Sequence, residues 1–111
     1  MFSTYFSLGL ADSDGVPLPA DDIALIMLVA QLARMGHTIV AQTEGEGIWE
    51  GQREPCAVLV TSSVRPLDTD PEVLAAVRRF LVATNQECAA VVSVPTRFVY
   101  ADSRDVAPGT L

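Results

Sequence analysis

Any chemistry in this 111-residue chain would have to come from a small set of side chains. The segment Trp49-Glu50-Gly51-Gln52-Arg53-Glu54 places the single tryptophan beside two carboxylates and a guanidinium. An aromatic next to an arginine is the type of anchor that dominates protein interfaces, and paired carboxylates can hold a ligand or move a proton. Three readings of the segment stay open: a hairpin arm whose Trp49 caps the core, an oligomer contact, and a ligand or catalytic site using Glu50 or Glu54 with Arg97. His37 follows Gly36, where an imidazole suits the negative end of a helix. As a general base it would need an oriented carboxylate, and no sequence feature supplies one. Tyr5 shares one side of an N-terminal strand with Ser3, Ser7 and Gly9, a position for an interface or cleft residue.

Other chemistries lack their residues. No zinc-ligand spacing, phosphate-binding glycine loop, dinucleotide fingerprint or nucleophile elbow occurs. One histidine and two distant cysteines, Cys56 and Cys88, do not make a metal site, and no cofactor is expected. The net charge of −7 arises from 14 acidic residues against 7 arginines, with no lysine. Scattered cations on an acidic chain argue against nucleic-acid binding. Absence of lysine with abundant Ala, Val and Arg suggests a GC-rich genome, bacterial or that of a phage infecting such a host.

These residues need a scaffold, and the composition supports one: half the residues are hydrophobic and 19% are charged, as in a globular domain. The N-terminus shows neither a basic n-region nor a continuous apolar run, so no signal peptide is expected and the cytoplasm is the default location. The apolar stretch Ile23 to Ala33 is too short to cross a bilayer, so no membrane association is expected.

Residues 2 to 10 alternate with a strand's period of two. Turn formers follow, then a helix expected from near Ala20 to Met35 and ended by Gly36. Its apolar positions spread beyond one stripe, so the surplus must meet the second helix, a loop or another subunit. Strands are predicted over His37–Thr43 and Cys56–Val64, paired as a hairpin whose long, glycine-rich connection forms extended or bulged arms past the sheet. Asp70-Pro71-Glu72 reads as a helix start with an aspartate N-cap, the helix reaching about Thr84. A last strand covers Ala89–Val94, breaks at Pro95 and resumes from Arg97 to Ala101, at a sheet edge because Pro95 lacks a donor. The order β-α-β-β-α-β predicts a ferredoxin-like α+β sandwich, a four-stranded antiparallel sheet with two helices on one face, as a single domain over residues 1–101 with a flexible tail over 102–111. Strands one and three would be central, and Cys56 and Cys88 reduced core thiols too far apart to bond.

Thr4-Tyr-Phe-Ser-Leu-Gly-Leu10, Gly47-Ile-Trp49, Arg53-Glu-Pro-Cys-Ala-Val-Leu-Val60 and Asn85-Gln-Glu-Cys88 together resemble a small bacterial family of unassigned function, with Ser7 where that family tends to have glycine. The Trp49-Glu50-Gly51 arm is also similar to one in the trimeric CutA and PII-like proteins. Neither resemblance implies an activity.

Three functions fit these observations. The first is a non-enzymatic binding or regulatory homo-oligomer, held by the surplus of the first helix, the Trp49 arm or the open sheet face. The second is an enzyme resembling dimeric ferredoxin-like monooxygenases or isomerases, with a pocket between sheet and helices near Tyr5, His37 and Arg97. The third is a phage- or plasmid-encoded protein that binds a host partner through its acidic surface.

Overall fold

The computed structural model describes residues 1–19 and 22–97, with the side chains of Trp49 and Asp68 outside that description. Its elements run β1 (Phe2–Gly9), α1 (Ile23–Arg34), β2 (Thr38–Trp49), β3 (Gln52–Ser63), a 3₁₀ turn (Leu67–Thr69), α2 (Pro71–Ala83) and β4 (Ala90–Pro95). The sheet order is β2-β3-β1-β4, and every pairing is antiparallel. This is the ferredoxin-like α+β arrangement, with β1 and β3 central.

Alternation along β1 decides what each face becomes. Phe6 and Leu8 point to the helix side and are fully buried, with Leu59 of β3 opposite Phe6. Leu28 and Leu32 of α1 and Val73, Ala76, Val77 and Phe80 of α2 close the core over them. Thr4, Thr61, His37 and Ser93 extend this layer toward the other end of the strands, with Thr4 Oγ1 bonded to Ser93 Oγ at 3.2 Å. Among the described residues no buried polar side-chain atom lacks a partner. The opposite face carries Tyr5, Ser7, Val58, Val60, Val92 and Val94, of which Tyr5, Val92 and Val94 are exposed.

The helix α1 starts at Ile23, later than the apolar pattern implied, because Asp22 stays extended and caps it. Its Oδ1 accepts from the backbone N–H groups of Ala24 (2.9 Å) and Leu25 (3.4 Å). The end is a Schellman turn: Gly36 has φ of 88°, its N–H donates to Ala33, and His37 N–H donates to Leu32 at 3.0 Å. The apolar surplus of α1 is real. Ile23, Ile26 and Met27 are each more than half exposed.

Asp70 precedes α2, yet its side chain caps nothing. The 3₁₀ turn before it brings the buried carboxylate to Arg65 Nη2 at 3.2 Å, and a pair in which both partners are charged outcompetes a cap on an uncharged N–H. The hairpin does extend as arms past the sheet, and the correction concerns its strand ends and its turn. Its ladder continues to Trp49 and Gln52, and the connection is a two-residue turn in which Glu50 (φ 50°) and Gly51 (φ 76°) both have positive φ, the type I′ geometry that matches strand twist. The one irregularity of register is a bulge between Ile39 and Ala41.

Pro95 pairs with Phe2 on the edge strand β4, where its missing donor costs the sheet nothing. The proposed strand continuation to Ala101 and the tail 102–111 lie outside the described residues. A Leu32→Ala variant is expected to lose about 2–5 kcal/mol of stability in urea denaturation. Ile26→Ala, on the exposed stripe, should stay within about 0.5 kcal/mol of the parent.

Candidate functional site

The sheet narrows from four strands to three after Ser7, where pairing with β4 ends, and to two beyond Gly9. The last β1 pair is Gly9 with Cys56, while β2 and β3 continue through Glu46–Pro55, Gly47–Glu54, Ile48–Arg53 and Trp49–Gln52. At about 3.4 Å per residue this arm stands roughly 14 Å past the central strand. Opposite it, the loop after β1 and the loop after α2 form a second wall. Leu10 N–H donates to Pro55 O (3.0 Å) and Ser13 N–H to Asn85 O (2.8 Å), fastening the β1 loop to each side in turn.

The space between the walls is a cleft of about 760 Å³, within the range of small-molecule sites. Ser7, Gly9, Cys56 and Ala90 form its base, and Gln86 stands on one wall. Around them, among the described residues, the lining carries Asp12, Asp14, Glu50, Glu54 and Glu87 against a single guanidinium, Arg53. Arg53 is itself paired with Glu46 at 3.3 Å, both well exposed, a pair worth at most about 1 kcal/mol. The cleft is therefore a region of negative potential that favours a cation and disfavours phosphate or carboxylate. Asp12 also has a local duty, its Oδ1 accepting from Asp14 and Val16 N–H at 2.9 Å each. Among the described residues no group of His, Cys, Asp and Glu is arranged to hold a metal ion.

The structure brings together some residues singled out from sequence and separates others. Glu50, Arg53 and Glu54 meet in the cleft. Trp49 ends β2 opposite Gln52, and its side chain lies outside the described residues. Tyr5 is on the open face, whereas His37 is buried on the helix side against Thr61. The sheet lies between them, so no pocket joins Tyr5, His37 and Arg97; Arg97 is exposed beyond the end of β4. Cys56 is buried and Cys88 exposed, both unbonded. Cys88 is thus no core thiol: β4 begins at Ala90, and the preceding loop carries Cys88 to the cleft wall. No motif in the sequence marks Gln86 or the acidic loop 12–14 as functional. The legible signal was Asn85, a residue that readily takes the left-handed conformation after a helix and so turns Gln86 toward the end of the sheet.

Fold and site together define a ferredoxin-like sandwich with an acidic cleft at the end of its sheet. No protein-family model and no curated protein matches the chain. Among solved structures it is similar to a phage SAM lyase in complex with S-methyl-5'-thioadenosine, with a TM-score of 0.57 and 18% identity over 84% of this chain and 79% of that one. At this identity the likeness bears on the fold.

His37 belongs to the core at the far end of the strands. Its Nδ1 lies 2.7 Å from Thr61 Oγ1, and its ring stands edge-on to Phe6 at 6.3 Å. Burial holds its pKa below the ordinary 6.5, opposed by the Asp70 carboxylate and assisted by the Arg65 guanidinium. The unfolded chain therefore takes up the proton at a higher pH than the folded one. Stability from this group is complete above about pH 6.5 and falls as pH drops through that value toward the lower folded pKa. In thermal melts from pH 7.5 to 5.5, the parent should lose more stability than His37→Gln, which cannot titrate. Parallel pH curves for the two would show that His37 is not held neutral.

Proposed function

We propose that the chain is a small homo-oligomeric binding domain whose end cleft takes a small cationic molecule. The observation that carries this reading is the cleft itself: among the described residues, five carboxylates against one guanidinium, around a base built from the strand ends. A positive ligand gains about 1 kcal/mol per carboxylate at 4 Å even in a water-like medium, so several such groups amount to useful affinity. Association is supported by the open sheet face. Although the chain carries −7 overall, the described residues of this face from Tyr5 across to Val58, Val60, Ala90, Val92 and Val94 bear no charge. A second copy can cover that face without like-charge repulsion, and burial of exposed Tyr5 and Val92 favours it.

A second reading is a lyase acting on S-adenosylmethionine. It is favoured by the fold likeness to the phage SAM lyase and by the chemistry of the cleft, because a sulfonium is a cation while S-methyl-5'-thioadenosine is neutral at sulfur. Glu50 and Glu54 would then be the carboxylates nearest in kind to a proton-transfer role.

Light scattering at micromolar concentration should give a multiple of the 11.8 kDa subunit mass, and Val92→Asp should reduce it; a strictly monomeric parent removes the oligomer. Calorimetric titration with S-adenosylmethionine should show salt-sensitive binding that Glu54→Gln weakens about fivefold. Chromatographic detection of S-methyl-5'-thioadenosine from the same mixture decides for the lyase, whereas binding without product decides for the binding domain. No heat with the sulfonium, and none with simple organic cations, would sink both.

A further inference from the structure

We infer that Gln86 orients the ligand of the end cleft by presenting its Oε1 as an acceptor to an N–H donor. The inference rests on the cationic-ligand reading above and adds a hydrogen-bond requirement to it. Thr84, Asn85 and Gln86 form the Schellman end of α2. Asn85 adopts φ of 52°, its N–H donates to Val82 O (3.3 Å), and Gln86 N–H donates to Leu81 O (2.9 Å). The backbone of Gln86 is thereby fixed before its side chain makes any contact.

The carboxamide is fixed next, and chemistry assigns which end is which. Thr84 Oγ1 donates its hydrogen to Phe80 O at 2.8 Å, so toward Gln86 it can only accept. The Gly9 carbonyl can only accept as well. The group 2.9 Å from Thr84 Oγ1 and 3.0 Å from Gly9 O must therefore be the amide nitrogen, Nε2, and both its hydrogens are committed. Oε1 is left over. It lies against Gly9 at the place a Cβ would occupy, which explains why a strand residue there has no side chain. No donor from the described residues reaches Oε1, and it is not a fully buried unpaired atom, so it keeps some exposure on a half-buried side chain where Gly9 and Gln86 both line the cleft.

An immobilised carbonyl-type oxygen among carboxylates accepts and cannot donate. It selects ammonium, guanidinium, amidine or amino-heterocycle groups, and offers nothing to a quaternary cation of equal charge. The two requirements, positive charge from the rim and an N–H from the wall, are physically separable.

The experiment uses two small singly charged probes, methylguanidinium and tetramethylammonium, titrated at millimolar concentration into the full-length protein and followed by 15N-detected shifts. The parent should bind methylguanidinium roughly tenfold more tightly, the scale of one hydrogen bond from a charged donor, with movement of the Gln86 side-chain amide signal. Gln86→Met should bind both alike. Gly9→Ala, which keeps the glutamine but displaces its carboxamide, should also lose the preference. Equal binding of the two probes by the parent overturns the role of Gln86 while leaving the cationic cleft standing; binding of neither overturns both. The comparison within the parent decides the matter even if a variant fails to fold.

Discussion

Strand β1 stops at Gly9 while the hairpin beside it continues to Trp49 and Gln52, and that difference in length generates the cleft. A central strand normally keeps its neighbours in one plane. Once it ends, the paired strands β2 and β3 stand alone on one side, and the chain leaving β1 must turn across the opening to reach α1. The same shortness brings the loop after α2 to the strand end, because β4 pairs with β1 and must be entered there. Two loops and an arm then surround the exposed end of a sheet whose other end is closed by His37, Thr61 and the Arg65–Asp70 pair. The division of labour is physical: buried groups accumulate where all four strands and both helices overlap, and accessible polar groups where they do not.

Much of this was written locally in the chain. The alternation of residues 2 to 10, the apolar periodicity of residues 23 to 34 and 71 to 83, and Gly36 each follow from one rule of short range, and the strand order follows from their sequence by handedness. The hairpin was harder to read because Glu50-Gly51 is not the usual pair for a type I′ turn, and because glycines at 45 and 47 weaken the strand signal without preventing the ladder. The Asp70 side chain looks like a cap in the sequence because its competitor, Arg65, is a neighbour only after the 3₁₀ turn forms. The cleft was legible in part: Glu50, Arg53 and Glu54 share one segment, but Asp12, Gln86 and Cys88 join them through tertiary structure. Tyr5 and His37 lie on one β-α-β unit in sequence, and only parity along the strands shows that a sheet separates them.

Charge is distributed unevenly over the molecule. Carboxylates gather around the cleft and along the arm, whereas the open sheet face is uncharged over its central strands. An evenly acidic surface would oppose both self-association and selective binding; concentrating the negative potential at one end leaves the valine-rich face free for contact. The two properties are compatible because the arm carries its charges beyond the last residue of β1.

The arm's other strand has a consequence for solubility. Among the described residues β2 pairs on one side only, leaving twelve residues of edge that could template fibrillar stacking of further chains. Natural edges are commonly guarded by lysine, which this sequence lacks. Here the guards are the bulge at Ile39–Ala41 and the exposed carboxylates of Glu44 and Glu46. A carboxylate guard both holds water at the edge and repels its like, so the two groups that blunt this strand also keep copies of the chain apart there, and neutral replacements at both would leave the bulge as its remaining protection.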